Sequence, residues 1–170
     1  MGRRASTVLV VLTLAASLLM ALRAEPAHAS DRDQAAIQKL FVDFNNALNR
    51  HDAHASAMLF TEDGDLIGIQ GKIVHGRADI EREMVPLFNG ILKTMHRDVT
   101  LRGVRFLRPD VAAVDSDYVT TGVVGANGVP APATKGLYDW IVTKQDGRWL
   151  IAVWHESNLP APPATARNKS

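Results

Sequence analysis

From Thr94 onward, apolar residues recur at every second position through four successive segments with only turn residues between them. Val99 and Leu101 share one parity, and Val104 and Phe106 share the other. That slip around Arg102-Gly103 predicts a β-bulge. Pro109-Asp110 turns the chain, and Val111 to Val124 reads as the next strand. Gly125 to Ala133 is a Gly/Pro loop, Thr134 to Lys144 a strand, Asp146-Gly147 a hairpin turn and Arg148 to Glu156 the last strand. Strands joined by such turns pair antiparallel, as hairpins and a meander.

The first half has a different period. Ile37, Leu40, Phe41, Phe44 and Leu48 recur at helical spacing, which predicts a helix over about 31–49 capped by Ser30 or Asp31. Asp52 reads as a second cap. Ala55, Met58 and Leu59 continue a short helix that Thr61 to Gly64 ends. Asp65–Ile69 and Lys72–His75 form a hairpin around Gln70-Gly71. Ile80, Met84, Leu87, Phe88 and Ile91 mark a third helix from Arg77 to about Leu92, which Pro86 should kink or interrupt. Helices and strands are segregated, so the fold class is α+β. A bulged antiparallel sheet curls, and three helices from the N-terminal half laid on its concave side enclose a pocket.

The N-terminus carries an address. Arg3 and Arg4 precede an uncharged run from Thr7 to Leu22, and Ala27-His28-Ala29 supplies small residues for a peptidase. These are the three parts of a secretory signal, so residues 1–29 are expected to be cleaved and the rest exported to a periplasmic or extracellular space. The apolar run is shorter than the roughly 20 residues of a spanning helix, so no stable membrane insertion is expected after cleavage. Residues 30–158 form the domain. Residues 159–170, rich in Pro and Ala, read as a flexible tail. The chain has no Cys, which removes disulfides, thiol catalysis, Cys-ligated zinc and lipid attachment through Cys. Loss of Arg3, Arg4, Arg23 and Glu25 takes the 19 basic and 18 acidic residues to 16 and 17, a net charge of −1. No basic stripe is present, so nucleic acid is not an expected partner.

Five motifs in order resemble the nuclear transport factor 2-like superfamily. They are Phe44-Asn45 to Asp52; Met58-Leu59-Phe60-Thr61-Glu62-Asp63; Gly76-Arg77-Ala78-Asp79-Ile80; Arg105-Phe106-Leu107-Arg108-Pro109-Asp110-Val111-Ala112; and Asp146-Gly147-Arg148-Trp149-Leu150-Ile151-Ala152. The chain is most similar to the SgcJ/EcaC branch of SnoaL-like proteins, over about 33–158. The resemblance implies a cone of curved sheet and helices around an apolar pocket, often paired into homodimers through the sheet. Its members include ketosteroid isomerases, polyketide cyclases, dehydratases and ligand-binding proteins, so fold alone does not name a function. The position of the isomerases' acidic base is Gly68 here, which cannot take a proton. Where the branch often ends its last strand in Phe-His-Asn-Thr or Phe-Gln-Asn-Thr, this chain reads Trp154-His155-Glu156-Ser157.

The candidate polar residues follow from strand parity. Asp115 and Asp117 are two apart on a strand and share one face. In a pocket one of them would be desolvated toward general acid or base work; on the outer face they are ordinary solvated residues. His155 shares parity with Trp149, Ile151 and Val153, and acts near neutral pH if it enters a cavity; otherwise it bonds backbone. If both point inward, Asp115 and His155 form an acid–base pair, the candidate catalytic residues. Tyr138 and Trp140 suit a flat apolar ligand or a dimer interface. His96, where the chain enters the sheet, and Asp117 complete the candidate ligand-binding set. His51, Asp52 and His54 have metal-like spacing but straddle a helix break without a third ligand, so no metal or other cofactor is expected.

These readings favour an exported domain that binds a small apolar or aromatic molecule. The alternatives are a cofactor-independent cyclase, isomerase or dehydratase, and an interaction protein without a usable cavity.

Overall fold

A computed structural model describes residues 26–125 and 127–160. The apolar run of the expected signal and residues 161–170 of the expected tail lie outside them. Helix α1 spans Pro26–Asn49, starting ahead of the expected Ser30 or Asp31 cap. Helix α2 (Ala53–Ala57) begins where Asp52 accepts a hydrogen bond from the Ala55 amide at 2.8 Å. The strands are β1 (Phe60–Ile67), β2 (Ile73–His75), β3 (His96–Arg108), β4 (Val111–Thr121), β5 (Thr134–Gln145) and β6 (Arg148–Asn158). Helix α3 (Arg77–Asn89) lies between β2 and β3.

Three boundaries differ from expectation for physical reasons. Thr61 to Gly64 do not end a helix; they belong to β1, whose irregular start sets Phe60 against Ile151 and Asp65 against Val153 of β6. Pro86 does not interrupt α3, which continues one turn beyond it to Asn89; the proline forfeits the bond to the Arg82 carbonyl but leaves the turns ahead of it intact. Strand β4 stops at Thr121, because Gly122 turns with φ +71° and packs so closely on the Thr94 carbonyl that a Cβ would overlap it. The Asp146-Gly147 turn is as expected, with both residues at positive φ.

The six strands form one curved, open sheet in the order β2-β1-β6-β5-β4-β3. All neighbours are antiparallel except β1 and β6, which run parallel. Two bulges decide which side chains face the helices. In β3, Leu101 pairs with Ser116 and Gly103 with Asp115, so Arg102 is the extra residue the sequence predicted. In β6, Ile151 pairs with Val142 and Val153 with Ile141, so Ala152 is extra. Each bulge reverses the facing of the residues beyond it.

The helix-covered face carries an aromatic core. Phe44 of α1 is fully buried, with its ring 5.1 Å from Trp140, 5.5 Å from Trp154 and 5.8 Å from Phe60. These contacts are edge-on, worth about 0.5–1.5 kcal/mol each beyond burial. Trp140 also meets Phe41 at 5.5 Å, fixing α1 across the centre of the sheet.

Candidate functional site

The site begins at the start of β3. Asn49, the last residue of α1, clamps the Arg97 backbone from both sides. It accepts from the Arg97 amide at 2.9 Å and donates to the Arg97 carbonyl at 2.9 Å. Inward parity then sends the Arg97 side chain beneath the helices, across three strands. Its Nε donates to Thr120 Oγ1 of β4 at 2.7 Å, Nη1 to the Tyr138 hydroxyl of β5, and Nη2 to Glu156 Oε1 of β6 at 2.8 Å. The guanidinium lies over the rings of Tyr118 and Tyr138, at 4.6 and 5.3 Å. Only 10% of the Arg97 side chain and 12% of that of Glu156 is exposed, so this is a buried ion pair.

The protonation states follow from that packing. Burial opposes the Arg97 charge, but Tyr138 and the Glu156 carboxylate beside it more than offset this, and its pKa is raised. Burial pushes the Tyr138 hydroxyl well up, against the pull of Arg97. Burial, and then the charge of Glu156, do the same to Tyr118. Both phenols are therefore neutral; the Tyr138 hydroxyl accepts from Arg97. Tyr118 donates to Asn158 Oδ1 at 2.7 Å, and it reaches β6 only because Gly136 lies under its ring, where a Cβ would overlap it.

Above this cluster is a cavity of about 280 Å³. Arg97, Glu156 and Trp154 form its floor. Its walls are apolar: Leu66 of β1, Val74 of β2, and Met84, Leu87 and Phe88 of α3. Ile69 and Ile91 stand half-exposed at the mouth, where Lys72 and Glu83 are ion-paired at 2.7 Å. The indole Nε1 of Trp154 is buried without a protein acceptor. Gly68 lines the cavity, and a Cβ there would meet no atom within 4 Å, so open space lies before it. The volume is roughly twice the ~150 Å³ of a cavity that holds benzene, which suits a ligand of one or two rings.

The expected acid–base pair does not enter this cavity. Asp115 and His155 both lie on the outer face of the sheet. Asp115 pairs with Asp139, and Asp139 pairs with His155, forming one row across β4, β5 and β6. Two strand spacings of ~4.8 Å separate Asp115 from His155. The cause for His155 is the Ala152 bulge. Trp149 and Ile151 face inward before it, but Trp154 and Glu156 do so after it. For Asp115 the inward parity of β4 is Val114, Ser116 and Tyr118. Asp117 is also outside and is held by Arg102 at 2.6 Å. His96 is exposed beside Asp98, at 3.3 Å.

Tyr138 and Trp140 face inward, at 0% and 1% exposure. Tyr138 supports the floor through Arg97, whereas Trp140 packs into the core against Phe41 and Phe44. His51 meets the Met95 carbonyl and His54 meets Glu81. Among the described residues no three His, Asp or Glu side chains gather as a metal site. Sequence reasoning misses Arg97, because an Arg opening a strand looks like a surface charge. The one signal for Glu156 is an acid at a position where the proteins it resembles often carry Asn.

Comparison with known proteins agrees with this fold. Three solved structures share the architecture. An uncharacterized protein with a cystatin-like fold from Caulobacter vibrioides is 21% identical, with TM-score 0.69 over 80% of this chain and 94% of that one. A domain of unknown function with a cystatin-like fold from Nostoc punctiforme is 22% identical, with TM-score 0.67 over 76% and 79%. A ketosteroid isomerase-like protein from Erwinia carotovora atroseptica is 22% identical, with TM-score 0.64 over 75% and 96%. At these identities the likeness carries the fold alone. No curated protein matches the sequence. The model of the SnoaL-like domain matches residues 30–155, so the chain belongs to the SnoaL-like domain family.

Proposed function

We propose that this protein is an exported binding module that holds a small, mostly apolar molecule of one or two rings in the cavity under α3. The observation that carries this reading is the cavity itself. It is open, apolar-walled and about 280 Å³, with a few polar groups converging on its floor. An interaction protein with a filled interior is the reading this open cavity argues against. The arginine pair and the A-x-A end of the N-terminal segment support export. Pairing of two copies through the outer face is supported by half-buried Leu137, Ile141 and Val153 among its polar residues.

The test is native mass spectrometry of purified protein, with Gly68→Phe as the partner sample. Gly68 has ordinary backbone angles and open space before it, so the ring fills the cavity without strain. The wild type should retain a compound, or bind aromatic probes with quenching of Trp154, and Gly68→Phe should do neither. Equal retention by both proteins would refute a cavity site.

A second reading, a cofactor-independent isomerase, cyclase or dehydratase, is favoured by one observation. Glu156 presents a carboxylate in the cavity beside the cationic Arg97, an acceptor for a proton next to a group that stabilises a developing anion.

A further inference from the structure

Four charged side chains line the cavity, and they are two opposed pairs: Arg97 with Glu156 on the floor, and Lys72 with Glu83 at the mouth. The lining therefore carries no formal net charge, and its phenolic neighbours are neutral. A guanidinium has five N–H groups. Bonds to Thr120, Tyr138 and Glu156 use one on each nitrogen, so each terminal nitrogen keeps another. Arg97 takes one oxygen of Glu156. The floor thus offers donors from Arg97 and an acceptor on Glu156, side by side.

Resting on the cavity reading above, we propose that the ligand's head group is electrically neutral and carries a hydrogen-bond acceptor beside a donor, as a carboxamide or lactam does. Its carbonyl accepts from Arg97, and its N–H donates to Glu156. A carboxylate would meet the Glu156 charge as closely as that of Arg97, and an ammonium would meet Arg97 as closely as Glu156. Either ion gives up its hydration for attraction and repulsion that nearly cancel. A neutral donor–acceptor head satisfies both members of the pair without that loss.

The experiment is calorimetric titration at pH 7.5 with three probes of one shape: 2-naphthamide, 2-naphthoate and 2-naphthylmethylammonium. The wild type should bind the amide at least tenfold more tightly than either ion, and Gly68→Phe should abolish that binding. Glu156→Gln keeps the shape but leaves the lining net positive, so it should reverse the order of amide and carboxylate. A wild-type preference for either ion that Gly68→Phe removes would overturn the neutral-head inference and leave the cavity reading standing. A tenfold amide preference that Glu156→Gln fails to reverse would also overturn it, because charge balance would not then set the selectivity. If Glu156→Gln does not fold, the wild-type ranking decides. Binding of none of the three, or amide binding that survives Gly68→Phe, would remove the cavity reading and this inference together.

Discussion

Replacing Arg97 with Met removes one side chain that ties together four strands. It leaves Glu156, whose side chain is 12% exposed, as an unpaired carboxylate. Breaking a buried pair from one side costs about 3–5 kcal/mol. The fully buried Tyr138 hydroxyl also loses its Arg97 contact, worth roughly 1–3 kcal/mol, and the cation–π contacts with Tyr118 and Tyr138 are lost. These contributions share one group and do not add, so the expected cost is about 4 kcal/mol. That is a large part of the ~5–15 kcal/mol that holds a domain together. Urea unfolding followed by Trp fluorescence would read it, with a melting temperature lower by roughly 10–20 °C. The double change Arg97→Met with Glu156→Leu removes both charges and should recover at least about 2 kcal/mol. A single-variant cost below about 1 kcal/mol would refute the buried pair as a structural element. So would a double variant as unstable as the sum of its parts.

Three further outcomes are expected. The His75 pKa is raised by its hydrogen bond to Asp65, 2.6 Å away, and by the charge of that carboxylate, so the pair's support for the β1–β2 hairpin is fully present below pH 6.5 and lost as pH rises through the higher folded value. An NMR titration midpoint above 6.5 that Asp65→Asn lowers would bear this out, and a midpoint at or below 6.5 would contradict it. Gly136→Ala should cost roughly 1–3 kcal/mol, because its Cβ overlaps both the Tyr118 ring and the Ser157 carbonyl, and a calorimetric melt unchanged from wild type would oppose that. Asp139→Asn should stabilise by about 0.2–1 kcal/mol, since Asp139 faces Asp115 directly across the strands; the gain should shrink in high salt, and a loss at low salt would count against the register.

What the sequence made legible depended on where apolar residues were diagnostic. The β3 bulge was readable because Val99, Leu101, Val104 and Phe106 must all face inward, and only an extra residue permits it. The β6 bulge was hidden because Leu150, Ile151, Ala152, Val153 and Trp154 are all apolar, so either parity looks buried. That ambiguity kept His155 among the cavity candidates, whereas the structure turns His155 outward and Glu156 inward. The start of β1 was misread because Thr61-Glu62-Asp63-Gly64 has turn composition, and its pairing with β6 is a tertiary fact. The Arg97–Glu156 pair joins residues far apart in the chain through a register no local pattern encodes.

The place of β6 between β1 and β5 also governs the timing of folding. Strands β3, β4 and β5 pair with their neighbours in sequence. Strand β1, synthesised earlier, joins them only through β6, with Leu66 against Trp154. Such distant pairing is slow to form. A growing chain therefore has no seat for β1, and no floor for the cavity, until residues 148–158 emerge. The domain stays unfinished until its last strand exists.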